Sequence, residues 1–285
     1  MTNIKYLIFY GSWFVFPLLY ILVENEYYFL AFLSLLFMYA RFIEPKILLV
    51  HHYQIKTGFK AKYALISDIH LGVYTDATIL QKIVTKVQTL KVDALLIAGD
   101  FTDSIQKEKL KKLFDAFREL KIPIYAVLGN HDCNCENPDT LIQDDIALAL
   151  ENAGVQVLTN TAVTLHDITI LGLGSHRAKE DDISLLHRYT KEDKLIVLTH
   201  NPDTVLRYPP ASPAKLTLVG HTHGGQVRIP FIYKYIIPIQ GKVLWDQGLY
   251  HYRDNQVFVT SGIGTVGLPL RFFIPPTIDV LELYD

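Results

Sequence analysis

The sequence predicts an α/β layered fold carried on an N-terminal apolar helical hairpin, and three observations predict it. Short apolar runs at 63–66, 94–98, 124–128, 195–198 and 216–219 have the length of fully buried strands. Amphipathic stretches at 76–90, 106–120 and 139–152 separate the first four runs, and such alternation builds a layered sheet. The N-terminal segment, in contrast, is nearly free of charge.

Within that segment, residues 6–23 are uncharged and match the shortest spanning helices. Pro17 is tolerated there, because a membrane helix re-satisfies the backbone groups that a proline frees. Residues 27–40 are uncharged but shorter; extension to 43, with Arg41 snorkelling, brings them to spanning length. No small-residue cleavage site follows the first stretch, which disfavours a removable signal peptide. Lys5 precedes the first span, Glu24 and Glu26 lie between the two, and Arg41, Lys46 and Lys56 follow the second. Cytoplasmic flanks collect Lys and Arg, so the expected topology is a hairpin in the inner membrane with both ends inside. The alternative is one span with the second stretch lying in the interface, which puts the rest of the chain outside. Residues 1–44 are thus the expected anchor, and 45–285 form one domain able to bury its own core.

The apolar runs end in polar motifs: Asp68-x-His70, Gly99-Asp100, Gly129-Asn130-His131-Asp132, His200 and Gly220-His221-x-His223. Singly, each is more often scaffolding than ligand; five in order, each after a strand pattern, read as a ligand set for two metal ions. Side chains two apart on a strand point the same way, so Asp68 with His70, and His221 with His223, are each expected to grip one site. Asp100 has two oxygens and can bridge. Imidazoles, the Asn130 amide oxygen and two carboxylates suit Mn, Fe or Zn better than Mg or Ca, and Mn is favoured. Two divalent cations outweigh two carboxylates, so the site stays electropositive and favours phosphate. Ions about 3.5 to 4 Å apart can bind an attacking hydroxide and clamp phosphoryl oxygens, which implies hydrolysis of a phosphate ester or anhydride.

The run Ser67-Asp68-Ile69-His70-Leu71-Gly72, with Gly99-Asp100, Gly129-Asn130-His131-Asp132, Thr199-His200 and Gly220-His221-Thr222-His223-Gly224-Gly225-Gln226, resembles the calcineurin-like metallophosphoesterase superfamily. The last string, with residues 262–269, is similar to its membrane-associated phosphodiesterase and pyrophosphatase branch. The resemblance covers about residues 45–285 and implies two packed sheets flanked by helices. It implies that Asp68, His70, Asp100 and His223 hold one ion, and Asp100, Asn130, His200 and His221 the other. His131 corresponds to a non-ligand histidine that stabilises the transition state or protonates the leaving oxygen, a role suited to an imidazole beside cations. Asp132 is expected to orient a neighbouring imidazole.

Other features narrow the field. A formal charge of -2 gives no basic footprint for nucleic acid. Lys107, Lys109, Lys111 and Lys112 read as the solvated face of a helix burying Leu110, Leu113, Phe114, Phe117 and Leu120. Cys133 and Cys135 are the two cysteines, too close for an unstrained disulfide and expected as reduced thiols. Gly262-x-Gly264-x-x-Gly267 matches a dinucleotide fingerprint, but Pro269, Pro275 and Pro276 break the helix it needs, so a loop packing beside the metals is expected. No protein partner is inferable.

A complete ligand set separates a hydrolase from a non-catalytic scaffold on the same fold, and here it is complete. Among anchored members of the branch that act at the cytoplasmic face is the pyrophosphatase cleaving UDP-2,3-diacylglucosamine in lipid A biosynthesis. The resemblance makes such a lipid-linked phosphate substrate the leading expectation. A phosphodiesterase acting on a soluble substrate is the alternative. Residues 172–180 depart from the branch's Asp-rich turn, and Arg177 or Lys179 is a candidate contact for a second phosphate. The apolar side chains in 268–274 are candidates for acyl contact or for core packing.

Overall fold

The computed structural model describes residues 2–133, 143–235, 237, 243 and 245–285. Its α-helices are α1 (Thr2–Gly11), α2 (Val15–Glu24), α3 (Tyr28–Met38), α4 (Thr78–Thr89) and α5 (Gln143–Asn152). The strands are β1 (Leu49–Lys56), β2 (Ala61–Ile66), β3 (Leu71–Gly72), β4 (Ala94–Ala98), β5 (Thr102–Asp103), β6 (Ile124–Val127), β7 (Val155–Val157), β8 (Thr161–Leu165), β9 (Ile168–Gly172), β10 (Leu195–Leu198), β11 (Leu216–Val219), β12 (Gly248–Tyr252), β13 (Asn255–Val259) and β14 (Thr277–Tyr284).

Two mixed six-stranded sheets carry the site, in the orders β1-β14-β2-β4-β6-β7 and β12-β13-β11-β10-β9-β8. They pack face to face through central strands that are apolar on both sides, β2, β4, β6, β10 and β11. In β4, Ala94, Leu96 and Ala98 face the second sheet through Ile170, Ile196, Leu198, Leu216 and Phe258, while Leu95 and Ile97 meet the helical layer of α4 and α5. The outer face of the second sheet is closed by Leu185, Leu186, Val205 and Trp245. A strand buried on both faces reads as a continuous apolar run, which is why all five runs were visible as strands.

The predicted helix at 76–90 is α4, and 139–152 is α5, with 139–142 outside the described residues. The stretch at 106–120 is not an α-helix. It forms two 3-10 turns, Lys107–Lys112 and Asp115–Glu119, broken at Phe114, whose φ of -106° and ψ of 8° leave the helical region. Its apolar face still packs inward: Leu110, Phe114, Phe117 and Leu120 are buried and all four lysines are exposed.

At the N-terminus, α1 and α2 run on through a 3-10 turn at Ser12–Phe14. Pro17 explains the turn, since it removes the N–H that residue 13 would accept and crowds that carbonyl. Asn3–Glu24 and Tyr28–Lys46 are long and apolar enough to cross a bilayer, and only 6% of the first is buried. Arg41, expected to snorkel, packs against protein. Its guanidinium is buried at the π-helical stretch Tyr39–Ile43, lies 4.6 and 4.7 Å from the Phe9 and Phe42 ring centres, and donates to Ser12 Oγ at 3.0 Å. Rings on both arms make that pocket, a cation-π site between the two helices. Glu44 is also buried and accepts the backbone N–H groups of Phe273 and Ile274, at 3.0 and 2.6 Å.

Candidate metal centre

Asp68, Asp100 and Asn130 follow β2, β4 and β6, three neighbouring parallel strands, and His200 and His221 follow the parallel pair β10 and β11. The candidate ligands thus meet outside the carboxyl ends of strands, where open α/β sheets place ligands. Local backbone geometry does the rest. Asp68, His70, Asp100, His221 and His223 have φ of 52°, 48°, 54°, 73° and 52°, a left-handed region that non-glycine residues rarely occupy. Such conformations cost about 1–3 kcal/mol each and cluster at functional sites.

That geometry corrects the strand argument for the pairs. Asp68 and His70 do converge, but His221 and His223 lie past the end of β11 and diverge: His223 joins Asp68 and His70, whereas His221 joins Asp100 and His200. With left-handed residues in place of extended ones, the two-residue alternation of a strand no longer applies.

In the first group the Nε2 atoms of His70 and His223 are 3.1 Å apart, and Asp68 Oδ1 is 3.8 and 3.4 Å from them. In the second, His200 Nε2 is 3.1 Å from both Asn130 Oδ1 and His221 Nδ1. Asp100 Oδ2 lies between, 3.5 Å from His70 Nε2 and 3.2 Å from His200 Nε2. Its Oδ1 accepts the His131 backbone N–H at 2.9 Å.

The donor set fits divalent cations. Asp68 Oδ2 accepts from the Ser67 hydroxyl and from His221 N–H, whereas buried Asp68 Oδ1 accepts no hydrogen bond from any described residue and faces the imidazoles. His200 Nδ1 faces the Ala98 carbonyl oxygen at 2.7 Å, so as donor there it leaves the Nε2 lone pair for an ion. Burial pulls the His70 imidazole down to about 3, against Asp100, and holds His221 and His223 well below the ordinary range. Neutral imidazole is the ligating form; His200, which burial lowers but Asp100 raises further, to about 9, would give up a proton to an ion there. For Asp100, burial favours the protonated form, but His200, His131 and His70 outweigh it and keep the carboxylate ionised.

His131 also stands at the site, its ring edge-on to His70 with centroids 4.7 Å apart. Its Nδ1 is 3.5 Å from Asp103 Oδ1. Asp103 was missed in the sequence, where its signal is the spacing Gly99-Asp100-x-x-Asp103. Also missed was Lys5, read as a topology charge. Its buried ammonium pairs with Asp103 Oδ1 and donates to Ser104 Oγ at 3.0 Å.

Asp132 does not orient an imidazole. Its oxygens accept the backbone N–H groups of Phe101, Thr102 and Gly129 at 3.0, 3.0 and 3.1 Å, so it clips the Asp100 turn to the Asn130 turn. Three orphaned amides are what a buried carboxylate can satisfy at once. Cys133 is buried, with Sγ 3.8 Å from Glu180 Oε2; Cys135 lies outside the described residues.

The glycine segment packs beside the site. Gly264 and Ile263 donate backbone N–H groups to the Asp68 and Ser67 carbonyls, and a Cβ at Gly262, with φ of 70°, would stand 2.8 Å from Asp68 Cβ. Buried Arg271 ties this loop together through the carbonyls of Ser261, Gly264 and Ile274. The apolar run that follows is split. Ile274 is buried, Phe272 packs on Tyr39 and Phe273, and Leu268 and Phe273 are 52% and 64% exposed. Exposed Arg177 sits close enough to His221 for its charge to add to the lowering that burial begins.

Two packed sheets with a dense His/Asp cluster at their strand ends define a metal-dependent phosphohydrolase. Residues 61–225 match the calcineurin-like phosphoesterase family, and the chain belongs to it. An uncharacterised metallophosphoesterase of Bacillus subtilis, YkuE, is 31% identical over 264 residues, covering 86% of this chain and 88% of its own. The UDP-2,3-diacylglucosamine pyrophosphatase LpxG of Chlamydia muridarum is 28% identical over 275 residues, covering 77% and 83%. The phosphodiesterase YaeI of Escherichia coli is 27% identical over 235 residues, covering 78% and 82%. Metallophosphoesterases of Campylobacter jejuni and Helicobacter pylori are longer, and this chain spans 59% and 65% of them.

Proposed function

We propose that this chain is a membrane-anchored di-metal phosphohydrolase whose substrate is a lipid-linked diphosphate of the UDP-2,3-diacylglucosamine type. The observation that carries the two-ion reading is Asp100 Oδ2, 3.5 Å from an imidazole of one group and 3.2 Å from an imidazole of the other. Asp68, His70, Asp100 and His223 hold the first ion; Asp100, Asn130, His200 and His221 hold the second. The mixed nitrogen and oxygen set suits Mn, Fe or Zn, and Mn is the ion we take for the test. When bound, the ions supply an activated water and charge for the phosphoryl oxygens. His131, with Nδ1 3.5 Å from Asp103 Oδ1, serves the transition state, and Arg177, whose charge reaches His221, is the candidate contact for a second phosphate, with Lys179 the alternative.

Residues 1–44 are the anchor and 45–285 the catalytic domain. Both ends of the hairpin touch that domain, Lys5 at Asp103 and Glu44 at Phe273, which supports two spans over one. With both ends on one side, and Lys46 and Lys56 following the second span there, we assign that side to the cytoplasm. The anchor meets the glycine loop, so the active site lies near lipid, and exposed Leu268 and Phe273 continue the apolar surface of the hairpin. An acylated substrate in the same membrane gains effective concentration that a soluble one lacks. A soluble phosphodiester is the second reading, favoured by the similarity to YaeI.

Vesicles decide between them. Inverted inner-membrane vesicles carrying the full chain should cleave UDP-2,3-diacylglucosamine far faster than its unacylated analogue, and right-side-out vesicles should cleave neither until opened. Phe273→Asp should raise KM for the diacylated substrate roughly tenfold, the scale of one partly buried aromatic contact, and leave a small chromogenic phosphodiester unchanged. Equal turnover of acylated and unacylated substrates would remove the lipid reading, and activity in sealed right-side-out vesicles would reverse the topology.

A further inference from the structure

Lys5 and Asp103 are 98 residues apart in sequence, yet their side chains are 9% and 5% exposed and joined. A Lys almost at the start of an apolar helix has water within easy reach and no need of burial. Here it gives that up for a single carboxylate oxygen. That same atom, Asp103 Oδ1, is the one that faces His131 Nδ1. Ser104 Oγ completes the cluster, donating to Asp103 Oδ1 at 3.2 Å and accepting from Lys5 at 3.0 Å. The helix is held in place there by the Phe9 ring stacked on Tyr74, whose hydroxyl donates to the Gly267 carbonyl at 3.2 Å. Anchor helix, glycine loop and His131 are therefore connected through one packed patch.

We propose that Lys5 is a positioning residue of the active site: its ammonium fixes the Asp103 carboxylate against the His131 ring, so full-rate hydrolysis requires the anchor helix to be docked. A carboxylate can rotate among several donors, and a ring held by it inherits that freedom. An ammonium and a hydroxyl on Oδ1 remove the rotation and leave one geometry for the ring. The inference rests on His131 serving the transition state.

Full-length Lys5→Met, Lys5→Arg, His131→Ala and the Lys5→Met/His131→Ala double variant, loaded with Mn and assayed on a small soluble phosphodiester, test it. Lys5→Met should lower kcat roughly 10- to 100-fold, the usual loss when a supporting partner of a site residue is removed, with KM and metal per chain unchanged. Lys5→Arg should restore most of it. In the His131→Ala background Lys5→Met should cost little more, because the two act as one unit. If Lys5→Met does not fold, Lys5→Gln, which keeps a donor to Asp103 without the charge, carries the test with an expected intermediate kcat. A lowered kcat in His131→Ala beside wild-type kcat in the folded Lys5 variant overturns the inference and spares the reading of His131. Wild-type kcat in His131→Ala overturns both. A Lys5 loss that multiplies in full with the His131 loss also overturns the inference.

Discussion

Asp100→Ala is expected to empty both metal positions and to lower hydrolysis by about 10³-fold or more, the upper scale seen when one principal electrostatic contact is removed. Among the described residues, Asp100 is the carboxylate that lies within 3.5 Å of an imidazole of each group. Its other oxygen accepts the His131 amide, so alanine also loosens the Asn130 turn. Asp100→Asn separates these effects, since it keeps an acceptor for that amide and removes only the charge. Both variants should lose metal as judged by elemental analysis. Two ions retained per chain with normal turnover would remove Asp100 from the bridge.

His131→Ala is the second large effect and has the opposite signature. Its ring is partly exposed and its Nδ1 stands 3.5 Å from Asp103 Oδ1, so, although it groups with His70 and Asp100, it is expected to act on the reacting group without holding an ion. Metal content should stay at the wild-type level while kcat falls about 10² to 10⁴-fold, the range for general acid-base help. A fall in kcat and kcat/KM together marks an interaction made in the transition state. An unchanged kcat on an unactivated substrate, with chemistry rate-limiting, would make His131 a scaffold for the Asn130 turn.

The parts legible in the sequence were those encoded locally. Each central strand is an apolar run because it is buried on both faces, and each motif begins where the run stops, so β2, β4, β6, β10, β11 and the meeting of Asp68, Asp100, Asn130, His200 and His221 at their ends could be read directly. The sharing of ligands could not be read from strand geometry, because left-handed φ at His221 and His223 sends their rings to different groups. Asp132 looked like an orienter of imidazole by its place in the motif; only the fold reveals three backbone amides pointing at it. The most distant relations were the least visible. Lys5 and Arg41 carry the signs of flanking charges in any hydropathy argument, and their burial depends on Asp103, Phe9 and Phe42, which are brought to them by packing. Residues 106–120 kept the apolar face of a helix while losing its hydrogen-bond pattern, since burial periodicity reports the face and not the pitch.

Central to this account is a pair of ions bridged by Asp100 and required together for hydrolysis. The most direct test is to strip the full-length protein of metal, titrate Mn back, and follow bound metal per chain and phosphoester hydrolysis in the same samples. Saturation is expected at two ions per chain, with activity rising as the second ion binds. Full activity at one ion per chain, or hydrolysis in the metal-free protein, would contradict it.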